Sequence, residues 1–421
     1  MKNKAFLHAW KTPVVAALDL NKLAVEGGAP VRSTPWPAWP TFPADEVAAC
    51  TKVLTSGKVN YWTGSVGREF EREFAEFVGV PHAIACSNGT VALELCLHGV
   101  GLSTGDGVVV PSRTFVATAH AVVLSGGRPQ FADVCADTGN VTAATIEAAS
   151  NHRTRAVIVV HVAGWPAEMS EIRALCDRKG WALIEDCAQA HDAKIAGRSV
   201  GSFGDAAAFS FCQDKIMTSG GEGGMVTTSN REVWSRMWSR KDHGKSWDAV
   251  YEREHPPGFR WLHESVGGNA RMTEMQSAIG RVQLSKLPGW VDDRRENAHR
   301  LIARLKTHDT LRVPTPGPGI RHAYYRLYAY VRTPMLAAGW SRDRVMAAVE
   351  AEGVPCQSGS CSEIYLEAAF PERWRPKARH LPLTKALGET SLCFKVQHTC
   401  TATDMDDVAE AVDRVMRIAR R

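Results

Sequence analysis

Residues 155–188 read RAVIVVHVAGWPAEMSEIRALCDRKGWALIEDCA. The run RAVIVVHVAG (155–164) is apolar and β-branched and reads as a buried strand. EMSEIRALCDRKG (168–180) carries a helical pattern, and WALIEDCA (181–188) returns to strand character. A strand, a helix and a second strand in succession predict a parallel pair joined by a crossover helix. The same rhythm extends both ways. Strand-like runs stand at HAIACS (82–87), GVVVP (107–111), RPQFADV (128–134), AAFSF (207–211) and GGMVTTS (223–229), with helical patterns at TVALELCLHGV (90–100) and TFVATAHAVVLSG (114–126). The chain is therefore expected to form an α/β fold with a large, mainly parallel sheet covered on both faces. In such sheets ligands gather outside the carboxyl ends of the strands. The residues just after each run become the candidates.

Composition narrows the classes. The chain has 421 residues, 44% hydrophobic and 23% charged, with a formal net charge of +5. That length exceeds what one core usually supports, so two domains are expected. No long basic block is present, which argues against nucleic acid as a partner. The eleven cysteines are scattered and form no CxxC, so neither a disulfide framework nor a zinc ribbon is indicated. The apolar run near the N-terminus (VVAALDL, 14–20) is broken by Asp19 and is short for a signal peptide, and no stretch approaches the about 18 apolar residues of a membrane span. The cytoplasm is the expected compartment. The Pro- and Trp-rich first forty residues read as an extended arm laid over the body.

Further along, NARMTEMQSAIGRVQLSKL (269–287) predicts an amphipathic helix with Met272, Met275, Ile279 and Val282 on one stripe. VDDRRENAHRLIARL (291–305) predicts a connecting helix, so the boundary is placed near 290: residues 1–290 as arm and large domain, residues 291–421 as a smaller α/β domain. The latter holds strand-like YYRLYAYVRT (324–333) and SLCFKV (391–396), with helices at 341–353 and 402–421.

Four strand ends carry chemistry. In SNGTVALEL (87–95), Gly89 allows close approach and the helix beginning near Thr90 offers free amides and a positive dipole end, a site for phosphate. An ordinary capped helix start is the plainer reading of that motif alone. In IEDCAQAH (184–191), Asp186 shares a strand face with Ile184 and ends a central strand, where a carboxylate is costly unless it meets a cation. A protonated pyridine nitrogen is one suitable cation, and a helix cap is the competing role. Gln189 follows closely. FSFCQDKIMTSGGEGG (209–224) places Lys215 after a strand, with Ser210 before it and four glycines after it. Lys215 is open to reading as a surface cation, a phosphate ligand or a covalent catalyst. In PSRTFVATAH (111–120), Phe115 is either a core ring or a stacking face. Taken together these groups can ring one cofactor that has a phosphate, a flat pyridine and an aldehyde.

With those motifs in hand the chain resembles the DegT/DnrJ/EryC1/StrS family of sugar aminotransferases, from GGAPVR (27–32) almost to the end. The resemblance rests on GKVNYWTGSVGREFEREFAEFVG (57–79), SNGT, PSRTFVATA, EDCAQAH, FSFCQDKIMTSGGEGG, GGNARMTEMQSAIGRVQL (267–284) and SLCFKVQHT (391–399), in that order. It implies the aspartate aminotransferase-like fold (PLP-dependent transferase fold type I) and pyridoxal 5'-phosphate (PLP) as cofactor. It implies that Lys215 holds PLP covalently and later moves the proton. Asp186 would pair with the ring nitrogen, Gln189 sit near the phenolic oxygen and Phe115 stack, while Gly89, Thr90 and Ser210 hold the phosphate. Asn269 would reach the phosphate of a neighbouring subunit, because the family forms dimers with shared active sites, and KDHG (241–244) would approach across the same interface. Two departures, Cys212 and Asp214, bear on substrate fit, as does GGNARM for a more aromatic segment. A dehydratase branch carries histidine at the lysine position, and Lys215 separates this chain from it.

The expected reaction is ping-pong transfer of an amino group from glutamate or glutamine to a keto-sugar, foremost a nucleotide-linked one. A cyclitol ketone or a keto sugar acid is the alternative, and a catalytically silent sugar or PLP sensor is the alternative from another class. Trp62, His243, Lys245, Trp247, Arg326 and His398 are the candidates for meeting an anionic or carbohydrate substrate. No metal ligand set is indicated.

Overall fold

The computed structural model describes residues 22–254, 260–377 and 381–421. Most of the N-terminal stretch discussed above, residues 1–21, lies outside the described residues. Seven strands form the large sheet: β1 (His82–Cys86), β2 (Gly107–Pro111), β3 (Arg128–Ala132), β4 (Thr154–Val160), β5 (Ala182–Asp186), β6 (Ala206–Ser210) and β7 (Gly224–Thr228). Their order is β1-β7-β6-β5-β4-β2-β3. Only β7 runs against the others, pairing antiparallel with both β1 and β6. Every residue of β2, β6 and β7 is buried, because both sheet faces are covered. Alternation survives inside that burial. Ala156, Ile158 and Ile184 enter one core, while Val157, Val159 and Leu183 enter the core on the other face.

A second, antiparallel sheet combines Leu311–Arg312, Leu327–Val331, Ser391–Phe394 and Cys356–Gln357. The helix Ala402–Ala419 packs on it through Met405, Val408, Val412, Val415 and Met416, a stripe at helical spacing. Thr401 and Asp404 close its start as a capping box.

The linking helix differs from its sequence reading. One helix runs Glu274–Leu305, through Pro288, so position 290 falls inside a continuous element. Up to Val291 it contributes Leu284, Leu287 and Val291 to the core beneath β6 and β7, and beyond that it gives Ala298, Leu301, Ile302 and Leu305 to the small-sheet core. It begins at Glu274 rather than 269 because Thr273 caps it and Gln276 answers in a capping box. The preceding backbone is already paired, Asn269 with Asp242 and Arg271 with Cys86. The expected stripe is also displaced. Met272, just ahead of the helix, is buried as expected, and Ser277, Ala278, Gly280, Gln283 and Leu284 are buried with it, whereas Met275, Ile279 and Val282 stay half-exposed.

Residues 36–39 strap the two sheets together. The Trp36 indole donates to Gly353 O at 2.7 Å, Gln397 donates to Pro37 O at 3.0 Å, and the Trp39 indole donates to Lys215 O at 2.9 Å.

Candidate active site

The carboxyl ends of β1, β2, β5 and β6 open into one cavity of about 730 Å³. The end beside Gly89 is made by a close approach. The Asn88 side chain accepts from Val91 N at 2.9 Å and starts the helix Gly89–Gly99. A Cβ on Gly89 would lie 2.7 Å from the Ser210 Cβ and 3.0 Å from its Oγ, so only glycine lets this helix start rest against the end of β6. Thr90 lines the same end. The glycines after Lys215 support this packing rather than leave space beside the lysine. A Cβ on Gly224 would lie 2.5 Å from Asn88 O, one on Gly223 would meet the Ser219 Oγ, and Gly220 and Gly221 take φ of +82° and +118°.

Asp186 closes the floor and is 5% exposed. Its Oδ2 accepts from Thr118 at 2.9 Å and its Oδ1 from Ala188 N at 3.1 Å. Burial pushes the carboxyl above its usual range, against those two hydrogen bonds and the charge of Lys215. No ion pair reaches it among the described residues, so a cation brought in by a ligand fits here. Thr118 in turn contacts Thr114 at 3.0 Å. Sequence reasoning passed over both threonines, although their i, i+4 spacing within PSRTFVATAH was the available signal.

Beneath the floor, His161 N donates to Asp186 O at 3.2 Å, and the His161 ring meets Glu185 at 3.1 Å. His161, Glu185 and Cys187 bring three ligand-type atoms together. Two of the three are committed elsewhere: Glu185 accepts from Gly201, Phe203 and Gly204 N–H, and His161 Nδ1 accepts from Ala167 N. This cluster is a brace under β5.

Lys215 reaches the cavity with its side chain 17% exposed, its Nζ 3.5 Å from Asp214 Oδ1. Asp214 is held by the Tyr325 hydroxyl at 2.5 Å. Burial tends to raise the Asp214 carboxyl, but Lys215, the Tyr325 hydroxyl and Arg326 prevail and hold it below its usual range. Gln189 lines the cavity and accepts from Ala163 N at 2.7 Å, where Ala163 takes a φ of +59°. Phe115 is 67% exposed at the rim, which removes the core reading of that ring.

Gly89, Thr90, Phe115, Asp186, Gln189, Ser210, Lys215 and Arg326 are thus brought to one cavity. Other candidates are not. His398 stacks on Trp290 at 4.4 Å and meets Trp39 edge-on, and burial, then Arg294, lowers its imidazole to about 3. It packs under the strap rather than at an entrance. Trp62 joins a cluster with Trp238 and Tyr251, and Lys245 lies over its ring at 4.2 Å while facing Asp242. Trp247 belongs to the same cluster. Within KDHG, Lys241 and Asp242 are fully buried and Arg271 pairs with Asp242 at 2.5 Å. His243, at a φ of +58°, and Asn269 are exposed and do not line this chain's cavity.

Known proteins share both sequence and fold with this chain. It is 38% identical over 308 residues to a UDP-N-acetyl-3-dehydro-alpha-D-glucosamine 3-aminotransferase of Acidithiobacillus ferrooxidans, covering 72% of this chain and 78% of that one. It is 34% identical to an L-glutamine:2-deoxy-scyllo-inosose aminotransferase of Streptoalloteichus tenebrarius, over 94% and 97% of the two chains. Among solved structures, an aminotransferase from Psychrobacter cryohalolentis superposes with a TM-score of 0.88 at 48% identity, covering 90% of this chain and 98% of that one. Residues 40–413 match the DegT/DnrJ/EryC1/StrS aminotransferase family as a whole. The chain belongs to that family, and is a PLP-dependent aminotransferase of fold type I.

Proposed function

We propose that the protein transfers an amino group from glutamate or glutamine to a keto-sugar, foremost a nucleotide-linked one, in amino-sugar biosynthesis. The observation that carries the site assignment is a buried carboxylate without a cation, Asp186, sharing one cavity with a single lysine, Lys215. The sugar assignment rests on the printed activities of the relatives above. The inosose relative, which matches nearly the whole chain, favours a cyclitol ketone as the second reading; a keto sugar acid is the third.

PLP supplies an electron sink at the carbon that gains or loses the amine. Gly89, Thr90 and Ser210 would hold its phosphate with helix-start amides and a hydroxyl. Asp186, kept ionised by the ring cation it faces, would orient the ring, with Thr118 fixing the carboxylate. Phe115 would cover one face, and Gln189 would stand near the phenolic oxygen. Lys215 would anchor the cofactor and, once its amine is free, would take a proton on Nζ from one carbon and return it to another. Asp214, itself set by Tyr325, stands where it receives that amine.

We further read the protein as a cytoplasmic homodimer. Asn269 and His243 are exposed, and the Met275, Ile279 and Val282 stripe is half-exposed in a single chain; a second copy would cover the stripe and receive Asn269 at its phosphate site. No described helix is long and apolar enough to cross a membrane. Residues 1–290 act as arm and PLP-binding unit and residues 291–421 as the small domain. Purified protein supplied with PLP should show a visible absorption band and a borohydride-trapped adduct at Lys215, both absent in Lys215→Ala. Wild type without either would refute the assignment.

A further inference from the structure

The turn after β4, from Val162 to Trp165, distributes its hydrogen bonds over several parts of the chain. Val162 N donates to Asn140 Oδ1 at 2.9 Å, and the Asn140 amide donates to Trp165 O at 2.9 Å. Gly164 N returns to His161 O and Trp165 N to Val162 O. Ala163 N–H is left over, and it meets Gln189 Oε1 at 2.7 Å. Ala163 points it there from the left-handed region, at φ +59° and ψ +7°, which a residue with a Cβ enters only when its surroundings hold it. Those surroundings are tight. A Cβ on Gly164 would lie 3.0 Å from Gln189 O, from the Ala323 Cβ and from Tyr324 N. The segment that carries Arg326 and Tyr328 into the cavity wall hangs on the same turn: Ala323 N donates to Gly164 O at 2.9 Å and Arg326 N to Ala163 O at 3.4 Å.

The contact with Ala163 decides which end of the Gln189 amide is free. A backbone N–H can only donate, so the atom beside it is the carboxamide oxygen. The two donors of the NH2 group are left for the cavity that Gln189 lines, and they have no protein acceptor among the described residues. We propose that Ala163 is a positioning residue of the cofactor site, whose left-handed turn holds the Gln189 carboxamide with its NH2 end toward the cavity. A pair of N–H donors suits an anionic oxygen, here the phenolic oxygen of PLP. The role rests on the aminotransferase reading, and its test separates the two.

The experiment compares wild type with Ala163→Gly, Ala163→Val, Gln189→Leu, Gln189→Glu and the variant that combines Ala163→Val with Gln189→Leu. Two quantities are read: the dissociation constant of pyridoxamine phosphate by calorimetry, and the wavelength of the visible band in the PLP-loaded protein. Gln189→Leu should weaken pyridoxamine phosphate about tenfold, the scale of one hydrogen bond to a charged group, and shift the band. Valine, branched at Cβ, does not hold a positive φ, so Ala163→Val should lose about as much and shift the band the same way. Glycine takes that φ freely, so Ala163→Gly should match wild type in both. Because Ala163 acts through Gln189, the combined variant should bind no more weakly than Gln189→Leu. Gln189→Glu keeps an acceptor for Ala163 N–H but offers the cavity no donor, so it should fall with Gln189→Leu. That variant decides the matter if near-ultraviolet circular dichroism shows Ala163→Val misfolded. Wild-type affinity and band in Ala163→Val, losses that multiply in the combined variant, or wild-type binding in Gln189→Glu overturns the proposal. A wild type that takes up neither PLP nor pyridoxamine phosphate refutes the aminotransferase reading instead. The link between Ala163 and Gln189 is then decided by chemical denaturation of the cofactor-free protein, where losses smaller than additive support it and additive losses overturn it.

Discussion

Replacing Gly89 with alanine should injure cofactor binding more than folding. Near a helix start, alanine ordinarily gains something under about 1 kcal/mol over glycine. Here its Cβ would lie 2.7 Å from the Ser210 Cβ and 3.3 Å from the Ser210 Cα, where ordinary contact begins at 3.4 Å. The gap must widen by at least 0.7 Å (3.4 minus 2.7). Because the Ser210 main chain is part of the obstacle, no rotamer change relieves it. Overpacking of this kind costs about 1–3 kcal/mol, so the net loss is about 1–2 kcal/mol, a few degrees in melting temperature for a protein this large. The same shift parts the helix-start amides from Ser210, and losing one hydrogen bond to a charged group is worth about 1.5–3 kcal/mol, roughly ten- to a hundredfold in affinity. Pyridoxamine phosphate is the right ligand for the assay, because it has no aldehyde and reads the phosphate and ring contacts without the bond to Lys215. Gly289→Ala is the control: nothing lies within 4 Å of its Cβ and it sits in the long helix, so it should stabilise slightly and leave binding alone. Unchanged pyridoxamine phosphate affinity in Gly89→Ala would refute the cradle.

Asp186→Asn should stabilise the cofactor-free protein while weakening pyridoxamine phosphate binding. The folded carboxyl is raised, so its contribution is complete below the unfolded carboxylate range and is lost as pH rises through the folded value; the melting-temperature advantage of Asn should therefore widen from pH 4 to 8, and a pH-independent difference would contradict this. Thr118 can turn its hydroxyl to meet the new amide, since either threonine can be the donor in its contact with Thr114. Asp214→Asn has the opposite sign. The Asp214 carboxyl is held low, so wild type should lead in denaturant titrations at pH 6 and lose that lead as pH falls through the folded value, by under about 1 kcal/mol because the side chain is 48% exposed. Trp39→Phe keeps the edge contacts to Trp290 and His398 but removes the donor to Lys215 O, and should cost about 0.5–1.5 kcal/mol in chemical denaturation.

Much of the site was legible because it is local. β-branched runs separated by helical spacing specify a parallel sheet, and a parallel sheet puts its ligands at strand ends, which is where Gly89, Phe115, Asp186, Ser210 and Lys215 stand. The linking helix shows the limit. Its periodicity from Met272 to Val282 was real, but 269–271 pair with Asp242 and Cys86 and so are not helical, and the buried face is chosen by what packs against it. His398 reads as a polar candidate in isolation and becomes a packed ring only because Trp39 and Trp290 enclose it.

The chain's own order of residues determined the fold class, the strand ends and the place of Lys215 after one of them, since each depends on spacing within a few turns or one strand. Tertiary structure alone decided what surrounds that lysine. Tyr325 reaches Asp214 across 111 positions, and Trp39 reaches Lys215 across 176. Such contacts follow from how the two sheets meet, and periodicity along the chain carries no record of that meeting.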